Sequence, residues 1–505
     1  MDNFERLCQF SDNEQWDEFM ENLDTKTNQR KIVAKLAELL TKPDGNLPPN
    51  VLFLILKCLA NTCVHFMYEV PDEIQNSTIS LANHWYEAYK QLAITSPLVA
   101  ENARSGFPYN GIVAWVIDYL DNHITENGEE ETKIVRTGLR FLCNVSAVTG
   151  TGYLAFLSHE KLRNIIGHLL RWKDVNVLLL TCALIHNILF NKRMGNPPFE
   201  PLSTLEGLIR ADKGKVSTAN DTIMLFVRQT PDLFDAAYEH LSMENKIYFL
   251  QLIYVNLRDV DDDSMVVIEQ LPENAVIYLT NRFKKKSDLI LKTVDSYLGD
   301  MEPAEVSILL DILGILSSDE WRELHILQRD SSLLINAVFL LKAMHSTGKE
   351  KDNYFTPIQR LSDLISSSST CHEGDPRLID DIEHHPAFGF KAGLIRLIGN
   401  LVYRHRANQN TLRDTEGLPL ILDCCNIDGR NPMILQWCIL AIRNACENMA
   451  KNKQVIAASE KIKYIETDVL CEMGLVRYDD DTGYPIRIVP EPKESQVEKS
   501  PPEFG

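Results

Sequence analysis

Apolar residues recur on one helical face in two stretches near the C-terminal end of the chain. Leu394, Leu397, Ile398, Leu401 and Val402 stand at the i, i+3, i+4, i+7 and i+8 positions of a helix. Leu435, Cys438, Ile439, Ile442 and Cys446 form a comparable stripe. The pattern predicts two long amphipathic helices. Between them lie a polar-rich segment around Asn408 to Arg413, a break at Gly417-Leu418-Pro419 and the apolar run Leu418 to Leu422. An Asp428-Gly429 turn follows, with Pro432 suited to a first helical turn. Both long helices carry one signature, Leu-Ile-Gly-Asn at Leu397 to Asn400 and Ala-Ile-Arg-Asn at Ala441 to Asn444, 44 residues apart. Helical units at that interval are the mark of armadillo and HEAT repeats.

The signature echoes upstream as Leu59-Ala60-Asn61, Leu142-Cys143-Asn144 and Ile185-His186-Asn187. The intervals of 83 and then 43 residues fit one period of about 42. Asn400 stands about five such periods beyond Asn187, and Ser317, 83 residues before Asn400, keeps the phase. The predicted fold class is therefore all-α, an armadillo/HEAT-like helical-repeat superhelix. Helix-compatible runs cover Gln15 to Leu23, Asn28 to Leu40, Lys246 to Leu257, Asp288 to Leu298, Ala304 to Leu316 and Lys453 to Met473. Strand-like runs on either side of Asp481-Thr482-Gly483 predict a small closing hairpin between Gly474 and Val489. The expected division is residues 1–344 as degenerate repeats, 345–386 as a polar, flexible insertion, 387–489 as a C-terminal block and 490–505 as a disordered tail rich in Pro, Glu, Ser and Lys.

The stretch IRLIGNLVYRHRANQNTLRDTEGLPLILDCCNIDGRNPMILQWCILAIRNACEN resembles the C-terminal armadillo-type block of the ataxin-10 family. The resemblance is close from Phe388 to the region of Val489; the first 350 or so residues resemble the family only in style. It implies a non-enzymatic, cytoplasmic scaffold of protein partners that takes part in cytokinesis and neuronal survival and associates with itself. Perinuclear, centrosomal or midbody association is part of the same expectation.

Charge narrows the choice of partner. Lys and Arg total 51 against 71 Asp and Glu, a net charge of −20, which argues against nucleic acid because phosphate binding needs a basic surface. The runs Asp259 to Asp263 and Arg282 to Lys286 read as solvated loops and helix ends. No run of 18 apolar residues predicts a membrane span, and the first residues have neither the basic nor the apolar region of a signal peptide. The expectation is a soluble intracellular protein, its 11 cysteines mostly reduced and set in apolar runs, and the glycosylation sequons at Asn76 and Asn144 fortuitous.

The candidate site is built from the signature. Arg140 precedes Asn144 by one turn, Arg396 precedes Asn400, Arg404 follows Asn400 and Arg443 adjoins Asn444, while Lys57 precedes Asn61. Stacked repeats would array these amides and cations along one face, able to grip an extended partner segment. Equally, each Asn could satisfy a backbone group of a neighbouring repeat and each cation be solvated. Trp437 reads as a packing residue or as an exposed anchor.

No cofactor, metal or catalytic site is predicted. Cys371-His372 with His384-His385, and Cys424-Cys425 with Cys438, lack zinc-site spacing, and no nucleotide, hydrolase or metalloprotease motif occurs. A nuclear-transport adaptor that binds an extended peptide is the alternative within the same class, and an enzyme with an unrecognised site is a remote one. Such adaptors array Trp-x-x-x-Asn pairs on successive helices, whereas that spacing occurs here only at Trp172 and Asn176. The Ser366 to Thr370 cluster is chemically open to phosphorylation.

Overall fold

A computed structural model describes residues 110–124, 128–147, 161–190, 199–258, 271–293, 301–318, 322–350, 353–358, 385–459, 475–478 and 487–490, and most of 52–60. The expectations for residues 1–50, for Asp259 to Asp263, for the serine cluster and for the tail lie outside these. The described residues are all-α apart from one pair of strands, and the chain divides into two compact units. The first holds residues 1–252 and 267–275, the second residues 253–266 and 276–505.

In the first unit the helices are α1 (Asn110–His123), α2 (Glu129–Ala147), α3 (Leu162–Leu169), α4 (Val175–Phe190), α5 (Pro201–Lys213), α6 (Ala219–Gln229) and α7 (Leu233–Ala236). Helix α4 packs between α2 and α6, so the signature helices of successive units lie side by side. Their buried faces repeat at helical spacing, as in Ile134, Gly138, Phe141 and Val145 on α2. Arg136 ties the packing together with a bidentate bond to Asp174, whose Oδ1 also caps the start of α4 by accepting from the Val177 amide. Helices α8 (Met243–Arg258) and α9 (Glu273–Lys286) carry the chain from one unit to the next in sequence. Helix α8 covers the predicted Lys246 to Leu257.

The second unit continues with a 3₁₀ turn at Ser287–Thr293, α10 (Met301–Leu316), α11 (Arg322–Arg329), α12 (Ser331–Glu350), α13 (Phe390–Leu401), α14 (Arg406–Asp414), α15 (Gly417–Asp423), α16 (Ile434–Cys446) and α17 (Ala450–Ala458). Helix α13 is the centre of this unit, packed by α10, α11, α12 and α16 and almost wholly buried. Gly399 permits the closest approach: a Cβ there would stand 3.0 Å from the Ala441 Cβ on α16. Strands β1 (Leu475–Tyr478) and β2 (Arg487–Pro490) pair antiparallel, with Val476 opposite Val489. Among the described residues no helix is long and apolar enough to cross a membrane.

Three local expectations differ from the structure. Arg282 is not a solvated helix end: it is buried, and its guanidinium makes a bidentate bond to the fully buried Glu305, at 2.8 and 3.2 Å. Ile439 is exposed, at 59% of its surface, since α16 turns Ile434, Cys438, Ala441 and Ala445 onto α13 and leaves the stripe of larger residues on the flank. The stretch 345–386 does not begin as a loop. His345 to Glu350 complete α12, and residues 353–358 dock on the Asp428-Gly429 turn, the Ile358 amide donating to Asp428 Oδ1 and the Gly429 amide to the Ile358 carbonyl.

Removing one partner of the Arg282–Glu305 pair should be costly, because the remaining charge stays buried. Glu305→Ala is expected to lower stability by about 3–5 kcal/mol, read from the midpoint of urea unfolding monitored by circular dichroism.

Candidate functional site

The signature asparagines are occupied by the fold. Asn144 Nδ2 donates to the Ala60 carbonyl at 2.9 Å, Asn187 Nδ2 to the Cys143 carbonyl at 3.1 Å, and Asn444 Nδ2 to the Gly399 carbonyl at 3.1 Å. In each case the acceptor is the residue just before the previous signature asparagine. Asn400 reaches instead to Ser317 Oγ, 3.0 Å away, which is the position that keeps its phase. A second set stands eight residues on. Asn408 Nδ2 donates to the Leu401 and Gln328 carbonyls, and Asn452 Nδ2, 44 residues later, to the Ala445 and Gln409 carbonyls. Gln409 in turn donates to the Asn444 carbonyl at 2.8 Å. The acceptors Gly399, Leu401, Asn444 and Ala445 lie in the last turns of α13 and α16, where helix carbonyls have no partner of their own.

The cations are disposed otherwise. Arg396 lies half-buried on α13 with its guanidinium 5.1 Å from the Trp437 ring centre on α16, a cation–π stack. Its NH1 approaches α10 at Gly314, where a Cβ would stand 3.6 Å away. Its Nε is buried and makes no hydrogen bond in the protein. Asp311, one turn before Gly314, is open to solvent yet hemmed in by protein. That crowding pushes its carboxyl up to about 6, although Arg396 nearby pulls the other way. Arg443 is exposed on α16 in line with the exposed Met433, Gln436 and Ile439. Arg404 is exposed beside the Tyr403 ring at 5.0 Å, in left-handed backbone at φ 49°, and Arg140 is exposed on α2. The second unit thus brings Arg396, Arg443, Trp437 and Asp311 onto neighbouring helices α10, α13 and α16, while Arg140 and Asn144 belong to the first unit. Asp311 and the Arg396–Trp437 stack were not predicted as a set, and no periodic signal links α10 to α16 at those positions.

One cluster imitates a nucleophilic centre. Cys424 Sγ lies 3.7 Å from His345 Nδ1, and His345 Nε2 lies 3.7 Å from Asp423 Oδ2. Burial reverses what such a triad needs. It pushes the Cys424 thiol up to about 12 and holds His345 down to about 4, so the sulfur stays protonated and the imidazole neutral. No group of three or more metal-ligating residues fit to hold an ion occurs among the described residues. Trp172 and Asn176 straddle the start of α4 rather than sharing a helix face.

Residues 390–486 match the spinocerebellar ataxia type 10 protein domain. Ataxin-10 of Xenopus tropicalis is 36% identical over 252 residues, which cover 50% of this chain and 48% of that protein. Ataxin-10 of Homo sapiens is 32% identical over 254 residues, 50% of this chain and 49% of that protein. The chain thus spans about half the length of the curated relatives it matches. Among solved structures, the crystal structure of an engineered protein aligns with 88% of this chain and 99% of its own at 14% identity, with a TM-score of 0.26 that bears no argument.

The raised pKa of Asp311 has a sign that can be checked. Stability contributed by its protonated form is fully present below about pH 3.8 and is lost as pH rises through about 6. Asp311→Asn should therefore raise the thermal midpoint at pH 7 and leave it unchanged near pH 3.5, measured by differential scanning calorimetry at the two pH values.

Proposed function

We propose that this chain, a member of the ataxin-10 family, is a scaffold that holds protein partners on an armadillo-like superhelix of its helical units. The family is not a known enzyme family. The observation that carries the reading is the division of labour within the signature: the amides of Asn400 and Asn444 are spent inside the fold, whereas Arg443 is exposed and the stacked Arg396–Trp437 pair is partly exposed on adjacent helices. A planar cation on an indole presents both an apolar face and donors for a carboxylate or a backbone carbonyl, the chemistry of an interaction anchor. With Met433 and Ile439 exposed on the same helix, the surface mixes apolar and cationic groups. Family membership supports a place in cytokinesis and neuronal maintenance, with cytoplasmic residence and self-association as further parts of the proposal.

The test is affinity co-purification from cell extract with wild type, with Arg396→Ala/Trp437→Ala and with Arg140→Ala, after circular dichroism has shown that all three fold. Partners present with wild type and Arg140→Ala but absent with the double variant would support an anchor on α13 and α16. Full retention by the double variant would reject it.

A further inference from the structure

Arg396 stands on α13, which packs against α10 on one side and α16 on the other, and its hydrogen-bonding capacity is unused. One face of the guanidinium rests on the Trp437 ring, 5.1 Å from its centre, and Nη1 lies against α10, 3.6 Å from where a Cβ of Gly314 would stand. The side chain makes no hydrogen bond among the described residues, and its Nε is buried without a partner. Asp311 stands one turn before Gly314 on the same face of α10, about 4.5 Å along the helix axis. It is exposed and likewise without a hydrogen bond among the described residues. Burial pushes its carboxyl up and the Arg396 charge pulls it down, so the guanidinium is felt there although the two form no ion pair. A fork of N–H donors and a carboxylate acceptor therefore lie side by side, each unfilled.

The geometry points to a binding site for the side-chain carboxamide of a glutamine or asparagine on a protein partner, its oxygen accepting from Arg396 and its NH2 donating to Asp311. The inference rests on the anchor reading of the Arg396–Trp437 pair and names the group that the anchor takes. A partner carboxylate would satisfy Arg396 but set a like charge beside Asp311, and a lysine or arginine would do the reverse. A neutral group with both an acceptor and a donor suits both residues. A main-chain peptide group carries the same atoms. Arg396, however, is half-buried between two helices, and a side chain on a short stem reaches it without the partner's chain entering. The exposed Met433 and Ile439 on α16 offer apolar ground for the residues on either side.

The experiment pans a phage library of random peptides over the immobilised full chain at neutral pH and collects clones that bind wild type but not Arg396→Ala/Trp437→Ala. Circular dichroism first shows that every variant folds. The expected clones share a glutamine or asparagine at one position. In a synthetic copy of the best clone, replacing that residue by glutamate or methionine should weaken binding to wild type about tenfold, read by fluorescence anisotropy. On Asp311→Asn the order should reverse, the glutamate peptide binding tighter than the original, because the substituted amide can turn its NH2 toward a carboxylate. Clones that depend on Arg396 and Trp437 but share an acidic or basic residue, share no residue, or keep their preference on Asp311→Asn would overturn the carboxamide and leave the anchor standing. Clones that bind the double variant as well as wild type, or an empty selection, would overturn both.

Discussion

The second unit depends on one kind of bond, a side-chain amide that donates to a carbonyl in the last turn of a neighbouring helix. Every α-helix leaves its final carbonyls without an internal partner, and burying them unpaired costs about 1–3 kcal/mol each. Here side-chain amides on neighbouring helices meet that deficit. Asn444 supplies Gly399, Asn408 and Gln328 supply Leu401, Gln409 supplies Asn444, and Asn452 supplies Ala445. The bonds are directional, so they fix both the spacing and the rotation of α13 against α16, which apolar packing alone would leave loose. Gly399 allows the approach that brings the donors within reach.

The same bonds explain why the exposed chemistry is cationic and aromatic. A buried amide with its hydrogens engaged has nothing left for a ligand beyond its oxygen. Arginine on the adjacent turn is free of that duty, since its length carries the guanidinium past the helix surface. Arg396 uses this reach to lie across Trp437, and the exposed Arg443 stands on the same helix as the indole. Structural and outward-facing roles thus alternate along one short motif.

Much of this was legible in the sequence, because the bonds require a fixed residue at a fixed interval. The 44-residue spacing of Asn400 and Asn444 recurs in the pair Asn408 and Asn452, and in the left-handed residues Arg404 and Asn448. Even Ser317, picked out only by phase, proved to be the acceptor for Asn400. What could not be read were contacts set by side-chain direction. An apolar stripe marks a face only to within about one residue, or 100° of helix, so Ile439 was placed inside although it lies outside. The Lys-rich end of α9 hid Arg282, whose partner Glu305 sits 23 residues away on α10 with no pattern to announce it.

The equivalence of Arg404 and Asn448 shows how the repeat closes. Both stand four residues after their signature asparagine, and both adopt positive φ, at 49° and 56°. An L-residue in that region costs about 1 kcal/mol, less for asparagine than for arginine. The chain accepts the strain in both units because the reversal there turns α14 and α17 back, so that Asn408 and Asn452 face the helix ends they must satisfy. Continuing the helix instead would pair the Leu401 and Ala445 carbonyls with backbone amides four residues on, but it would leave Asn408 and Asn452 unable to bridge to the Gln328 and Gln409 carbonyls. The reversal at positive φ is what lets one side-chain amide serve both the helix end before it and a carbonyl of a neighbouring helix.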